Sequence, residues 1–190
     1  MVTTRHDTDR AAAHADGASA AGVEAARERA LAAAAAVPDP ELPMLTLADL
    51  GILRGVDVDE DGTLQVWITP TYSGCPALTE MRADVDRSVR AAGFDRVRVR
   101  TALSPAWTTD WITEEGRRKL ADHGISPPGK APRRDPGPVP LTLLPTRTVP
   151  RCPLCGAADT EELSRFGATS CKSLHRCRSC LEPFEHVKEI

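Results

Sequence analysis

Five of the six cysteines fall in the last 40 residues of a 190-residue chain, and four are paired as Cys152-Pro-Leu-Cys155 and Cys177-Arg-Ser-Cys180. A two-residue gap lets both thiolates of a tight turn face one ion, and Gly156, just after the first pair, can take the positive φ such a turn needs. Two such turns, 21 residues apart, supply four thiolates for one tetrahedral ion, with Zn²⁺ the default metal. A closed four-thiolate site leaves no open coordination position, so it predicts a structural role rather than catalysis. Forty residues bury too little apolar surface to fold unaided, so the metal is expected to supply the folding energy. Cys171 is an extra thiol that could replace one ligand or stay free. A thiolate-held iron–sulfur cluster is the alternative occupant. His175 and His186 are read as packing or surface residues, since four thiolates already satisfy zinc.

Cys75 stands apart, in Thr71-Tyr-Ser-Gly-Cys-Pro76. Pro76 suits the first position of a helix, which places Cys75 at the N-cap, where free N–H groups and the helix dipole lower a thiol's pKa. Two readings stay open: a reactive thiol that handles metal, cluster or partner, and a small apolar residue closing a loop. No histidine is obviously placed as its base, which argues against a Cys–His hydrolase. Asp39, Glu41 and Asp49 lie on an earlier loop and could approach it. Trp107 and Trp111, four apart, either seal a small core or form an aromatic docking patch. Arg96, Arg98 and Arg100 share one face of a strand and are read as solvated.

The elements that must position these residues divide the chain into four segments. Residues 1–36 hold 15 alanines and predict a polar extension that becomes helical from about Ala20 to Ala36, with only methyl groups to bury. Residues 37–125 carry folded-domain patterning. Thr46 to Leu50 reads as a helical turn closed by Gly51. Residues 52–58 and Leu64, Val66, Ile68 alternate around the turn Asp59-Glu-Asp-Gly62 as a β-hairpin. Leu78, Met81, Val85 and Val89 form a helix stripe. Val97, Val99 and Thr101 make a third strand, and a last helix runs from about Ile112 to His123, ending at Gly124. The order ββαβα predicts a two-layer α+β sandwich with helices on one sheet face and arginines on the other. Residues 126–150 contain eight of the sixteen prolines and read as a semi-extended linker. Residues 151–190 form the cysteine-rich ribbon.

Composition removes several classes. A formal net charge of −3 lacks the basic face that bulk nucleic-acid binding requires. The Ala-rich stretch is interrupted by Glu24, Arg27, Glu28 and Arg29, so no membrane span is expected, and the first residues have no apolar signal region. Reduced thiols in the cytoplasm are therefore the expectation. There is no phosphate-cradling loop, no nucleophile–base pair and no open metal site, so the chain is read as non-catalytic by itself.

Asp39-Pro-Glu-Leu-Pro, Asp49-Leu-Gly51, Gly74-Cys75-Pro76 and Trp107 followed by Thr113-Glu-Glu115 resemble the small domain of iron–sulfur assembly factors, the family of the SufT proteins. Over residues 37–190 the chain more closely resembles the PaaD family, the accessory proteins associated with ring-1,2-phenylacetyl-CoA epoxidase. That likeness is carried by Ile68-Thr-Pro-Thr-Tyr-Ser-Gly-Cys-Pro76, by Leu103-Ser-Pro-Ala-Trp-Thr-Thr-Asp-Trp-Ile-Thr-Glu-Glu-Gly-Arg-Arg-Lys-Leu120 and by the tail from Cys152 to Phe184. The resemblance implies an accessory role in aerobic phenylacetate degradation, in which this chain helps mature an iron–sulfur or other metal centre. A stable structural subunit is the alternative. The implied partners are the oxygenase and reductase components and the iron–sulfur assembly machinery, and a homodimer is left open. Cys75 would handle metal or a client thiol, assisted by Asp39, Glu41 and Asp49, while the ribbon, Trp107 and Trp111 would dock. Family tails usually carry one more cysteine before the last residue, where this chain has Glu189-Ile190.

Overall fold

The computed structural model describes residues 20–132 and 149–190; positions 1–19 of the N-terminal extension and 133–148 of the Pro-rich linker lie outside the described residues. Helix α1 spans Ala20–Ala35, followed by strands β1 (Leu53–Val58) and β2 (Leu64–Ile68), helix α2 (Leu78–Ala91) and strand β3 (Val97–Thr101). A 3₁₀ turn at Thr109–Trp111 leads into α3 (Glu114–Asp122) and the short β4 (Ile125–Ser126). The ribbon contributes β5 (Thr160–Ser164), β6 (Lys172–Cys177) and β7 (Pro183–Val187).

Alternation builds the first sheet, of order β1-β2-β3. β1 and β2 form the antiparallel hairpin, closed where the Gly62 N–H donates to Asp59 O at 2.8 Å with Gly62 at φ +75. The α2 crossover makes β3 parallel to β2, pairing Leu64 with Val97 and Val66 with Val99. All four of these side chains are buried, as are Met81, Val85 and Val89 along α2. Arg96, Arg98 and Arg100 are exposed on β3 and just before it. The chain is thus an α+β protein with a ββαβα core and a four-cysteine ribbon.

Composition alone leaves α1 outside this layer, yet its methyl groups find a place in it. Ala30 and Ala34 are fully buried in the same core as Val85 and Val89, and the Ser88 hydroxyl of α2 donates to Ala33 O at 2.8 Å. Small side chains let the helix approach closely, so a surface poor in apolar area still packs. The α+β layer therefore takes in residues N-terminal to position 37.

The second sheet has the order β4-β7-β6-β5, and β4 follows directly from α3. β4 pairs parallel with β7, so the ribbon is hydrogen-bonded to the first layer rather than tethered only by the linker. Val187 is part of the main core and Ile190 packs against it. The Ile190 backbone oxygen accepts from the Thr108 hydroxyl at 2.8 Å and from the Thr109 N–H at 3.1 Å. Among the described residues no helix is long and apolar enough to cross a membrane.

Glu189 fastens the same seam. Its carboxylate accepts from the Gly129 N–H at 3.0 Å and lies 3.3 Å from His186 Nε2, while His186 Nδ1 is 3.2 Å from Ser126 O. Burial works against its charge, but His186 and the Gly129 N–H outweigh burial and hold the carboxyl at about 2. A carboxyl depressed below its unfolded value of about 4.3 stabilises the fold fully above that pH, and the contribution fades as pH falls toward the folded value. Glu189→Gln should therefore cost on the order of 1–2 kcal/mol near neutrality, discounted for solvent screening. The gap from wild type should close in denaturation curves taken at successively lower pH between about 4.5 and 2. A gap independent of pH would show that the carboxylate charge is not what matters.

Candidate metal centre and thiol pocket

The four knuckle cysteines converge. Cys152, Cys155, Cys177 and Cys180 place their sulfur atoms within 4.8 Å of one another. Cys152 and Cys180 Sγ are 3.7 Å apart, and Cys155 and Cys177 Sγ are 3.5 Å apart. Four sulfurs at Zn–S distances of about 2.3 Å around a tetrahedral ion would be separated by roughly 3.8 Å, so the donor set fits zinc in both chemistry and spacing. The two knuckles share one construction. The Cys152 N–H donates to Ala157 O at 2.9 Å and the Cys177 N–H to Glu182 O at 3.0 Å, each bond reaching five residues forward. The residue after each second cysteine takes positive φ: Gly156 at +75 and Leu181 at +67. Leucine gives no sequence signal for that conformation. The Cys180 N–H donates to Cys177 Sγ at 3.5 Å, which leads the effects that pull this thiol down to about 6.

His175 and His186 are buried on the ribbon sheet, with His175 stacked on Phe184. They pack rather than lie on the surface, and neither belongs to the four-thiolate group.

Cys75 is half-buried and not a helix cap. α2 begins at Leu78 with Ala77 at the cap position, and the Leu78 N–H donates to Cys75 O at 3.3 Å. The thiol is accordingly not activated by the dipole. Burial pushes it up, Glu41, Asp39 and Cys171 add to the rise, and a hydrogen bond with the Ala77 backbone only opposes it. The cause is tertiary: the loop from Pro70 to Ala77 folds over the core instead of launching the helix at Pro76.

Asp39 and Glu41 do reach the Cys75 pocket. Asp39 is buried and accepts from the Glu41 and Leu42 N–H groups at 2.9 and 2.8 Å. Asp49 is placed elsewhere. It is bound by Lys119 Nζ at 2.7 Å and by the Thr46 N–H at 2.9 Å. Burial opposes its charge, but Lys119 and Thr46 outweigh burial and hold the carboxyl below its ordinary value. It pins the loop after residue 45 to α3 and is not part of the pocket.

The tryptophans do not form an exposed patch. Trp107 is 5% exposed and its indole N–H donates to Leu50 O at 2.9 Å. Trp111 is half-buried, with the Arg54 guanidinium 3.6 Å from its ring centroid. Trp107 therefore seals the core, and Trp111 is covered by a cation. The large exposed apolar side chains at the knuckle tips are Leu154 and Leu181, 58% and 69% exposed.

The chain is 43% identical over 154 residues to an Escherichia coli (strain K12) protein described as the D component of 1,2-phenylacetyl-CoA epoxidase, covering 81% of this chain and 87% of that protein. The chain belongs to the PaaD family. Residues 136–188 match the PaaD zinc beta ribbon domain, and residues 27–101 match the iron–sulfur cluster assembly protein family. The second match starts inside α1, in keeping with the burial of Ala30 and Ala34. This PaaD-family chain is also 35% identical over 85 residues to an Fe–S protein maturation auxiliary factor of Porphyromonas gingivalis, covering 44% of this chain and 80% of that protein. A Bacillus subtilis Fe–S protein maturation auxiliary factor, YitW, is 33% identical over 100 residues, covering 51% of this chain and 95% of that protein.

Proposed function

We propose that this chain is a non-catalytic accessory protein of the phenylacetyl-CoA epoxidase system that assists maturation of an iron–sulfur or other metal centre in that complex. The observation that carries the reading is the joining, in one chain, of a layer related to Fe–S maturation factors with a PaaD ribbon whose four thiolates close a metal site. The ribbon metal is zinc in this reading. Cys152, Cys155, Cys177 and Cys180 would hold it, and its chemistry there is to fix the fold of the knuckles. Cys75, in its pocket beside Asp39 and Glu41, is the thiol that meets the client's metal or cysteine.

Cys75→Ser should leave the zinc content at one per chain while lowering cluster occupancy of the reductase component expressed with it, read from iron content and visible absorption. Full occupancy with the serine variant would end the thiol's role. The exposed Leu154 and Leu181 favour a second reading, a structural component that stays docked through its knuckles. Stoichiometric co-purification with the oxygenase would select it, and loss of the complex during washing would select transient maturation.

A further inference from the structure

The pocket at Cys75 is shared between the two layers of the molecule. Cys171 enters it from the ribbon, 96 positions along the chain, together with Asp39, Glu41 and Lys172. Apart from Thr71, its remaining wall is apolar and includes Leu42, Ile52, Met81 and Trp107. The cavity measures about 30 Å³. Organic ligands take pockets of roughly 300–1,000 Å³, whereas a space this small suits a water or a single ion. Lys172 borders the cavity with its ammonium held by Glu185 at 2.6 Å, so its charge only partly offsets the two carboxylates. All six cysteines are unbridged, so both thiols are available. Burial, chiefly, pushes both thiols and both carboxyls up, with Glu41 adding to the rise at Cys75 and at Cys171. Lys172 eases the ionised forms of Asp39, Glu41 and Cys171 without outweighing burial.

We propose that Cys75 and Cys171, with Asp39 and Glu41, form a second, exchangeable site for one thiophilic divalent cation across the seam between the assembly layer and the ribbon. Sulfur selects borderline and soft metals over Mg²⁺ or Ca²⁺, and the carboxylates complete a mixed donor set of the kind Fe²⁺, Co²⁺ and Zn²⁺ accept. Binding displaces one proton from each thiol, and the metal keeps its oxidation state. The four donors are spread wider than the knuckle sulfurs, which are the one group of three or more donor atoms within 4.8 Å among the described residues. The site must therefore close on its ion. That cost is subtracted from the affinity and makes the ion exchangeable, as cargo requires. The ribbon zinc gains a purpose in this arrangement: it holds the layer that presents Cys171. The inference rests on the maturation reading only for the idea that the ion is cargo.

Anaerobic titration of the zinc-loaded, reduced full chain with Co²⁺ tests it. One Co²⁺ should bind beyond the retained zinc and produce a thiolate-to-cobalt charge-transfer band. Cys75→Ser and Cys171→Ser should each abolish the band, and Glu41→Gln should weaken binding roughly 10–100-fold. Bound Co²⁺ should also shield both Cys75 and Cys171 of the unmutated protein from iodoacetamide, which keeps the test open if a serine variant fails to fold. No band without zinc release, or an unaltered band in Cys171→Ser, overturns the site. A band in the unmutated protein that Cys75→Ser abolishes, with reductase cluster occupancy intact in that variant, would instead remove the maturation reading and keep the site. Loss of occupancy without any cobalt band would do the reverse.

Discussion

Stripping the metal with a chelator, or replacing Cys152 by serine, is expected to unfold the ribbon while the β1-β2-β3 sheet survives. The ribbon's buried apolar cluster is Cys152, Cys177 and Phe184, with Ala157 and Cys180 against it. Two of its three buried members belong to the four-thiolate group that would hold the ion, so removing the ion should remove the core with it. Apparent binding energies of structural four-ligand zinc sites are about 10–16 kcal/mol, far more than one buried phenylalanine supplies. Amide exchange should rise throughout β5, β6 and β7. The first layer should lose less, on the order of 1–3 kcal/mol, because it forfeits the burial of Val187 and the packing of Ile190. Zinc content measured alongside exchange or limited proteolysis decides the matter. Protection of β6 and β7 in the metal-free chain would show that docking through β4, not the ion, folds the ribbon.

Gly51→Ala should be among the most damaging single-methyl changes available in the first layer. Gly51 sits at φ +67, where a residue with Cβ pays roughly 1–2 kcal/mol. The new methyl would also stand 2.6 Å from Trp111 Cβ and 2.6 Å from Trp111 O. One of those atoms is backbone, so a rotamer change cannot relieve the contact. The turn at residues 46–51 also delivers Leu50 O to the Trp107 indole and Asp49 O to the Thr113 N–H. Displacing Trp111 therefore disturbs the seat of α3 as well. A total cost of about 3–5 kcal/mol, the upper end for single substitutions, should appear as a large drop in denaturation midpoint with zinc content unchanged. A change below about 1 kcal/mol would mean that the loop and the 3₁₀ turn separate freely.

Several features were readable in the chain because their causes are local. Each Cys-x-x-Cys knuckle is a turn whose sulfurs are aimed by the backbone of four or five residues. The alternation of Leu64, Val66 and Ile68 and the stripe Met81, Val85, Val89 mark one buried face within one element, and Asp59 to Gly62 mark a turn. Glycine announces the bend at Gly156. Its counterpart at Leu181 stays hidden, since the chain there accepts a strained conformation for a leucine that the knuckle imposes.

What only the tertiary structure decided are the relations between distant segments. The helix signal at Cys75-Pro76 is outweighed by the packing of its loop, so a thiol expected to be lowered by a helix dipole is raised by burial instead. Asp39, Glu41 and Asp49 look alike as loop carboxylates. Two face Cys75 and the third is taken by Lys119, a partner 70 positions away. Trp107 could seal or dock until the Leu50 carbonyl claimed its N–H. Ala30 and Ala34 carried no visible apolar payload, because a methyl group is valuable only where another surface comes close enough to use it. The sequence by itself determined that this chain is an α+β layer followed by a four-thiolate metal ribbon, since propensity, alternation and ligand spacing act between near neighbours. The pairing of β4 with β7, and with it the meeting of Cys75 and Cys171 in one cavity, arose from contacts between residues far apart in the chain, whose approach no local pattern encodes.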